Sequence, residues 1–377
     1  MELIFWTSFA VIFYVYAGYP LILAAMALRA KPTGSDENYL PSVSLIIAAY
    51  NEEKVIREKL ENSLALDYPS DRLEIIVASD GSTDDTSKIV ERYSDRGIIL
   101  HKVNPRGGKT RALNTVIPKT NGEILVLSDA NTMFRPDAIR KLVRHFVDPA
   151  VGAVSGDVRL VDAADSHSHS EGLYYRYERG LQALESRVGS IIGSDGAMYA
   201  VAREHFRPPP DEIILDDFVI SMTVARSGFR VLYDPEAIAT EQGTLSAREE
   251  FFRKVRIIAG GIQALRLRVG LPRLMQPFLL FGYISHKLLR WLVPCLLLAI
   301  LFSSSALVSK PFYALVLGAQ AVFYFVAVAY GLNTLGFQQH RFSGIAYYFS
   351  LVNGAALFGI WKGLRGTQTV TWHRTAR

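Results

Sequence analysis

Residues 43–52 read Val-Ser-Leu-Ile-Ile-Ala-Ala-Tyr-Asn-Glu, an apolar run that ends in a cluster of polar side chains. A short apolar run without polar alternation is typical of a strand that is buried on both faces, as in parallel sheets. The run therefore predicts a buried strand over Val43–Ala48. In open α/β sheets, ligands bind beyond the carboxyl ends of the strands. We therefore expect Tyr50 and Glu52 to lie at the edge of the sheet where a ligand binds.

The same arrangement recurs along the next hundred residues or so, in which apolar runs alternate with helical patterns. The predicted strands are Leu73–Ala78, Ile98–His101 and Ile124–Ser128, and the predicted helices are Glu52–Leu66, Thr83–Tyr93, Thr110–Ile117 and Pro136–Phe146. Strands that alternate with helices favour a largely parallel sheet covered by helices. The predicted fold class is therefore α/β, and we place this domain over residues 41–247.

The composition of the whole chain restricts its class. Of the 377 residues, 50% are hydrophobic and one is a cysteine, and the formal net charge is +5. All 36 acidic residues lie within the first 250 positions, so the charged side chains after them are basic only. These values exclude a disordered chain, a secreted domain held by disulfides and a uniformly basic nucleic-acid binder. We therefore expect no nucleic-acid partner.

The first strongly apolar segment is Leu3–Leu28, which exceeds the roughly 20 helical residues that a bilayer core requires. The charge before it is acidic, Glu2, and the basic residue Arg29 follows it. A cleaved signal peptide carries its positive charge in front, so this segment predicts a transmembrane anchor over residues 1–31. The positive-inside rule then places the N-terminus outside and the α/β domain in the cytoplasm. The expected location is the inner cell membrane.

The C-terminal part of the sequence is also suited to a membrane. Residues 248–273 combine an apolar stripe at helical spacing with basic side chains, which predicts an interfacial helix that faces anionic lipid. Within residues 274–366, long apolar runs predict further crossings over Leu288–Val308, Phe312–Leu332 and Ser343–Leu364. The sequence therefore predicts a multi-pass membrane protein.

The predicted crossings disagree with the charge of the tail, residues 367–377. Three crossings after a cytoplasmic domain place this tail outside, whereas its basic residues favour the inside. Either one of the three runs is interfacial or re-entrant, or Met275–Ser285 adds another crossing. We favour a tail on the inside.

Two of the predicted strands end in carboxylates. Asp80 follows one strand, where it can accept hydrogen bonds from a base or a ribose, or merely end the strand before a capped helix. Asp129 and Asn131 follow another strand, and residues i and i+2 of an extended segment point the same way. Such a pair can hold a hard divalent cation that bridges a diphosphate, with water and phosphate oxygens as the other ligands. A polar strand end without a metal is the alternative.

Asp216 and Asp217 stand among apolar neighbours in the sequence Ile-Ile-Leu-Asp-Asp-Phe, residues 213–218. Burial opposes charge, so two adjacent acids in such a place are unusual. One of them can act as a general base whose pKa is adjusted by burial and by the other acid. The alternative is a helix N-terminus that is stabilised by the two acids.

Three further stretches carry polar or basic side chains. Residues 106–111 place two glycines and three basic residues before a predicted helix, which suits phosphate recognition although the P-loop spacing is absent. Ser194 and Asp195 lie in a tight turn, for which a purely structural role is equally consistent. His167 and His169 lie in a polar stretch for which we favour a solvated loop over a metal site.

Together and in this order, these motifs resemble those of the membrane-bound family 2 glycosyltransferases. That group includes the cellulose, chitin, hyaluronan and poly-N-acetylglucosamine synthases. The resemblance covers roughly residues 41–260, and the membrane layout agrees with it. The matching segments are residues 48–52, 79–82, 108–114, 128–131, 193–196 and 215–217.

The resemblance implies a GT-A fold, with a mixed, mostly parallel sheet, and an inverting transfer from a nucleotide-sugar, in the first place a UDP-sugar. The acceptor would be a growing exopolysaccharide or a lipid-linked glycan. Membrane lipids and polysaccharide-export proteins would be its other partners.

The resemblance also implies roles for individual residues. The residues that would bind the nucleoside of the donor are Tyr50, Glu52 and Asp80, and Lys109 would lie near the nucleotide. Ser194, Asp195 and Arg256 would line the rest of the donor site. Asp129 and Asn131 would hold Mg²⁺ or Mn²⁺, where many members have Asp-x-Asp. Asp217 would be the general base, with Asp216 beside it.

The stretch at the membrane interface departs from the family pattern. Processive members carry Gln-x-x-Arg-Trp there, whereas residues 253–257 read Arg-Lys-Val-Arg-Ile, so that only Arg256 matches. Plain lipid contact is the alternative for Arg256. The departure favours a second function, the transfer of one sugar to a polyprenyl phosphate or a diacylglycerol. A transporter or receptor with a nucleotide-binding domain is a distant alternative, because the predicted crossings contain almost no ionisable residues.

Overall fold

The computed structural model describes residues 1–31, 33–161, 166–242, 246–334, 337 and 340–371. Within these residues, eight strands form one mixed sheet. The strands are β1 (Val43–Ala49), β2 (Leu73–Asp80), β3 (Ile98–Val103), β4 (Ile124–Asp129), β5 (Met133–Phe134), β6 (Val151–Val161), β7 (Met198–Ala202) and β8 (Arg230–Gln242). Their order across the sheet is β3-β2-β1-β4-β7-β6-β8-β5.

The first half of the sheet confirms the predicted parallel arrangement. β1 pairs in parallel with β2 and β4, and β2 pairs in parallel with β3. All seven residues of β1 are buried because helices cover both faces of the sheet. Leu45 and Ile47 face one core, and Ile46 faces the other.

Short helices supply the two layers that cover the sheet. Helices α3 (Ile56–Leu64), α4 (Thr86–Glu91) and α6 (Ala138–Val143) pack on one face, and α5 (Lys109–Val116) and α8 (Asp216–Arg226) pack on the other. α3 begins at Ile56, four residues later than predicted. Asn51, which precedes it, has a positive φ of 53°, and its Oδ1 accepts a 2.8 Å hydrogen bond from the Thr83 backbone N–H. Its side chain therefore orders the next turn of the edge instead of capping α3.

The second half of the sheet contains the antiparallel pairs. β7 is antiparallel to β4 and β6, β8 is parallel to β6, and the short β5 is antiparallel to β8. The register of β5 pairs Met133 with Thr240. This pairing brings the turn after β4 beside the end of β8, although more than one hundred residues separate them in sequence.

Four helices among the described residues are long and apolar enough to cross a membrane. They are Glu2–Ala27, Pro277–Ala306, Pro311–Gly331 and Phe342–Arg365. The first comprises α1 (Glu2–Phe13) and α2 (Tyr19–Ala27), the second comprises α10 (Pro277–Gly282) and α11 (Leu289–Ala306), and the other two are α12 (Pro311–Gly331) and α13 (Arg341–Arg365). Residues 277–285 of the segment Met275–Ser285 are continuous with the helix that follows them, so they do not form the separate crossing that we considered.

Helix α9 (Ala247–Leu267) covers most of the segment 248–273 that was predicted as an interfacial helix, and its apolar stripe packs against protein. Val255, Ile258 and Ile262 are buried in protein. A Cβ added to Gly363 of α13 would lie 2.7 Å from the Cβ of Ile262, so the two helices are in close contact. The stripe packs against α13, a partner that the local pattern of α9 could not reveal.

A buried polar cluster joins the sheet domain to the membrane helices through α7 (Ser166–Val188). Tyr19 of α2 donates a 2.7 Å hydrogen bond to Glu185 of α7. The ring nitrogens of His286 lie 2.7 Å from Glu185 and 3.2 Å from Glu178, which also pairs with Arg290. The membrane helices are therefore attached to α7 by hydrogen bonds and by the ion pair between Glu178 and Arg290.

Some predicted features lie at the limits of the described residues. The backbone at residues 166–169 begins α7, so the loop predicted around His167 and His169 is wrong, and the side chains of these histidines lie outside the described part. Residues 372–377 of the predicted tail also lie outside it. The described end of the tail reaches the sheet domain, because a Cβ added to Gly108 would lie 2.8 Å from Val370.

Candidate active site

Lys109, the first residue of α5, lies at the centre of a cluster of carboxylates at the carboxyl edge of the sheet. Its Nζ donates a 2.6 Å hydrogen bond to Oδ1 of Asp129, at the end of β4, and a 3.0 Å bond to the carbonyl oxygen of Gly196. The same Nζ lies 3.9 Å from Oδ2 of Asp216. Burial acts to lower the pKa of Lys109, but the charges of Asp129 and Asp216 outweigh it and raise that pKa. A cation is therefore fixed between the two acidic motifs.

Asp216 and Asp217 form the first turn of α8, the position that the alternative interpretation of a helix N-terminus predicted. Burial raises the pKa of both carboxyl groups, and the adjacent Asp216 contributes further to that of Asp217, which reaches about 7. Oδ2 of Asp216 is buried and has no hydrogen-bond partner among the described residues. A carboxyl group with a pKa near neutrality is suited to act as a general base.

The segment before these acids is held from two sides. Thr110 Oγ1 of α5 donates a 2.7 Å hydrogen bond to the carbonyl of Ile213. From α9, Arg256 Nη2 donates to the carbonyl of Ile214 at 3.2 Å, and the amide of Ile214 donates to Gln263 Oε1 at 3.0 Å. The helix that was predicted at the membrane interface therefore positions the candidate base.

Gly196 allows close packing between its turn and Asp217. A Cβ at this position would lie 2.8 Å from Oδ2 of Asp217, which is closer than real Cβ atoms approach. The carbonyl of the same residue binds Lys109. Gly196 thus touches both the lysine and the candidate base, and a larger residue would displace one of them.

The residues predicted for the nucleoside lie next to the Gly107–Gly108 turn. Asp80 is buried, and its two carboxylate oxygens accept 2.8 Å hydrogen bonds from the backbone N–H groups of Gly107 and Gly108. The guanidinium of Arg106 stacks 3.5 Å from the ring centre of Tyr50. In this structure Asp80 therefore holds the turn that leads into Lys109, while Tyr50 and Arg106 form a stacked pair.

The remaining residues predicted for the donor lie close by. The backbone N–H of Glu52 donates a 2.7 Å hydrogen bond to Thr86 Oγ1, which fixes the turn after β1. Burial raises the pKa of Asp195, whose backbone N–H binds Ser155 Oγ at 3.0 Å. Ser194 is buried, and its Oγ has no hydrogen-bond partner in the described part of the chain. Arg256 contacts protein backbone, so plain lipid contact does not describe it.

Asn131, the second predicted cation ligand, is paired with a residue that the sequence analysis missed. Its Nδ2 donates a 2.6 Å hydrogen bond to Oε1 of Glu241, at the end of β8. Burial raises the pKa of Glu241 to about 7, Asp129 and Asp195 contribute to the rise, and Arg253 opposes it. The hint in the sequence was an acid shortly after the apolar run Ala-Ile-Ala, residues 237–239, but nothing local connected it with Asn131.

The residues at this edge suit a hard divalent cation. Their donor atoms are carboxylate and amide oxygens, which Mg²⁺ and Mn²⁺ prefer. Burial first and neighbouring carboxylates second raise the pKa values of Asp195, Asp216, Asp217 and Glu241, and a bound cation would lower them. Among the described residues, no three His, Cys, Asp or Glu side chains are grouped closely enough to hold a metal alone. Phosphate oxygens would have to complete the coordination.

Comparison with families of known proteins gives two matches. The model described as glycosyl transferase family 2 matches residues 44–203, and the model described as glycosyl transferase family group 2 matches residues 124–358. Together they include the lysine, the acidic motifs, α9 and most of the C-terminal helices.

Two curated relatives carry more specific names. The beta-monoglucosyldiacylglycerol synthase of Synechocystis is 27% identical over 231 residues, 59% of this chain and 48% of its own length. The poly-beta-1,6-N-acetyl-D-glucosamine synthase of Staphylococcus aureus is 27% identical over 218 residues, 56% of this chain and 52% of its own length. The chain thus matches about half the length of each of these relatives.

A solved structure resembles the chain over nearly its whole length. The mannosyltransferase PcManGT from Pyrobaculum calidifontis, determined in complex with GDP-Man and Mn²⁺, has a TM-score of 0.73 and 24% identity. The match covers 97% of this chain and 100% of that one. It confirms the GT-A type of fold, together with the long apolar helices at both ends.

Proposed function

The chain belongs to glycosyl transferase family group 2, and we propose that it transfers a sugar from a nucleotide-sugar to a glycan acceptor at a membrane. The observation that carries this proposal is the cluster around Lys109, in which β4, α5 and α8 bring a candidate cation ligand and a candidate general base to one edge of the sheet. A UDP-sugar is the donor that we favour, and a growing exopolysaccharide or lipid-linked glycan is the acceptor. The domain would face the cytoplasm from the inner cell membrane.

The proposed reaction is a single displacement. Asp217 would accept the proton of the acceptor hydroxyl as its oxygen attacks the anomeric carbon, and the bond to the nucleoside diphosphate would break on the opposite side. One carboxylate base is enough for such a step, and the anomeric centre is inverted. Asp216 would keep Asp217 basic at neutral pH through its charge, while Arg256 and Gln263 hold the preceding backbone in place.

Asp129 and Asn131 are the residues that we propose for the divalent cation, which would neutralise the charge of the departing diphosphate. The structure of PcManGT was determined with Mn²⁺ and GDP-Man, so both Mn²⁺ and a guanosine donor belong in any test of this chain. Lys109 would add a positive charge at the same place. Tyr50, Glu52 and Asp80, with Ser194 and Asp195, would complete the donor site.

A second candidate acceptor is a membrane lipid, and one cavity favours it. A mostly apolar cavity of about 440 Å³ lies between the beginning of α9 and the helices α12 and α13. Its lining includes Phe251, Tyr324, Val328 and Tyr347. Since α9 also holds the backbone before Asp217, a polyprenyl phosphate or a diacylglycerol that entered here would meet the same helix.

The test uses the full chain in lipid nanodiscs, supplied with UDP-glucose, UDP-N-acetylglucosamine or GDP-mannose and with Mg²⁺ or Mn²⁺. The released nucleoside diphosphate is measured and the product is sized. A polymer supports the glycan synthase, and a single sugar on an added lipid supports the lipid transferase. If no donor is turned over, the proposal is wrong, and a transporter or receptor becomes the better interpretation.

Replacement of Asp217, the proposed base, is compared with replacement of an exposed aspartate. Asp217→Asn should reduce kcat by about 100- to 10,000-fold, the usual contribution of a general base, while binding of the nucleotide is retained. Asp95→Asn, on an exposed turn between α4 and β3, should leave both unchanged. Full turnover by Asp217→Asn would exclude Asp217 as the base.

A further inference from the structure

The cation site of this chain has one carboxylate fewer than the Asp-x-Asp motif that it resembles. Asn131 stands at the second acidic position and carries no charge, so Asp129 alone would supply negative charge from the motif. Divalent cations with few protein ligands depend strongly on such charges, because each carboxylate offsets part of the cost of dehydrating the ion. The missing charge therefore needs a source elsewhere in the fold.

Glu241 lies at the place where this charge is missing. Its Oε1 accepts a 2.6 Å hydrogen bond from the amide nitrogen of Asn131, so its carboxylate is in direct contact with the second position of the motif. The contact is built into the sheet, because the pairing of Met133 with Thr240 fixes the end of β8 next to the turn after β4. The bond also fixes which end of the Asn131 amide faces Glu241, namely the nitrogen.

We propose that Glu241 supplies the second carboxylate of the cation site, in place of an acid at position 131. This inference rests on the proposed nucleotide-sugar transfer and adds a residue to it. Asp129 and Glu241 carry the charge, and Asn131 is a positioning residue whose amide carbonyl is turned away from Glu241. The pair Asn131–Glu241 thus does what an acid at position 131 would do alone.

Binding of Mn²⁺ tests this assignment without relying on turnover. The full chain in nanodiscs is titrated with Mn²⁺ in the presence of UDP and, separately, of GDP, and free Mn²⁺ is followed by electron paramagnetic resonance. Glu241→Gln keeps the shape of the side chain and an acceptor for Asn131, but removes the charge. The expected result is a Kd for Mn²⁺ that is about 10- to 100-fold higher, the range typical when residues that support a metal site are changed.

Exchanging the carboxylate and the amide between positions 241 and 131 should restore the binding of Mn²⁺. The double variant Asn131→Asp with Glu241→Gln moves the carboxylate to position 131 and the amide to position 241, and it should bind Mn²⁺ with a Kd close to that of the original chain. The matched control is Glu236→Gln on the same strand, because Glu236 pairs with Arg144 and Lys141 on the surface. Its Kd should not change.

The outcomes separate this inference from the proposed function. If the original chain transfers sugar and binds Mn²⁺ but Glu241→Gln binds it equally well, or if the double variant binds no better than Glu241→Gln, only the role of Glu241 is wrong. If the original chain transfers sugar but binds no Mn²⁺ with either nucleotide, the proposed Mn²⁺ site is wrong, Glu241 included, and the proposed transfer stands; if it transfers no sugar from any donor, the proposed function is wrong whatever the Mn²⁺ binding. If Glu241→Gln alone does not fold, the double variant decides, since it must bind Mn²⁺ for the assignment to stand.

Discussion

The pKa of Asp217 determines how the rate should depend on pH. Burial and the carboxylate of Asp216 raise this pKa to about 7. A general base acts only when it is deprotonated, so kcat should be constant above about pH 7 and should fall about tenfold per unit below it. The profile of kcat between about pH 5 and 9 measures this directly.

Asp216→Asn supplies the control for that profile. The variant removes the like charge that raises the pKa of Asp217, so the fall in kcat should begin at a lower pH than in the original chain. Asp95→Asn should leave the profile where it is. An unchanged profile in Asp216→Asn would show that another group titrates.

Asp217 can pack closely against the turn at Gly196 because residue 196 has no Cβ atom. In Gly196→Ala, the new Cβ would meet Oδ2 of Asp217 at 2.8 Å, so the carboxylate must move. A displacement of about 1 Å in a catalytic group can cost about 100-fold in rate, and we expect a loss of kcat of that order with the fold intact. Gly189→Ala, where a Cβ meets nothing within 4 Å, should keep full activity. Equal rates for the two variants would contradict the proposed role of the contact.

The residues of the site differ in how far the sequence could predict them. Lys109, Asp129 and Asp217 stand in local motifs whose chemistry is readable, and the structure brings these motifs together. Glu241 could not be found in this way, because its contact with Asn131 exists only once β5 has paired with β8. Local sequence shows which groups are available, whereas their partners depend on the pairing of distant strands.

Contact between α9 and α13 links the membrane helices to the candidate base. In Gly363→Val, the Cβ would lie 2.7 Å from the Cβ of Ile262, so the two helices must separate. Such overpacking costs about 1–3 kcal/mol, and the melting temperature should fall. Activity should fall as well, because Arg256 and Gln263 of α9 hold the backbone at Ile214.

A second glycine in a membrane helix gives the matched control for this prediction. A Cβ at Gly318 of α12 meets nothing within 4 Å, so Gly318→Val should leave melting temperature and activity unchanged. Thermal unfolding and transfer are measured on both variants in the same nanodiscs. If Gly363→Val lowered stability no more than Gly318→Val, the close contact would not be important for the fold.

The elements also differ in how well their sequence identifies them. β1 to β4 were predicted to within two residues, because each is a continuous apolar run followed by polar residues. β6 contains Gly152, Gly156 and Asp157, residue types that are rare in strands, and no single apolar run marks it. Its stability comes from pairing with β7 and β8 and not from its own propensity.

The predicted crossings and the basic charge of the tail disagree about the side of the membrane on which the tail lies. The packing of the helices in the whole molecule bears on this question. Helix α13 is the last of the four that are apolar enough to cross a membrane, yet it lies along α9 for most of its length. Near its beginning, Tyr348 Oη donates to Glu250 at 3.1 Å, and at its end Arg266 donates to the carbonyl of Gly363 at 2.8 Å. Since α9 also holds the backbone of Ile214, a helix that contacts α9 near both of its ends stays close to the sheet domain.

The other three apolar helices differ from α13 in this respect. Glu2, at the beginning of α1, pairs with Lys310, which joins α11 to α12, so these ends lie together. The opposite ends lie near the domain, since Arg187 of α7 contacts the carbonyl of Ala27. We therefore expect three crossings and an interfacial α13, which would place the N-terminus and the tail on opposite sides, with the tail beside the domain, where Val370 approaches Gly108.

Labelling of single cysteines tests this topology. In a Cys295→Ser background, cysteines replace Lys310, Phe342, Thr367 and, as the domain reference, Asp95; sealed vesicles are treated with a membrane-impermeant maleimide. We expect Phe342→Cys and Thr367→Cys to react from the same side as Asp95→Cys, and Lys310→Cys from the other side. A spanning α13 would instead put residues 342 and 367 on opposite sides, because about 25 helical residues rise about 37 Å. That outcome would require four crossings, with the basic tail outside, against the charge rule.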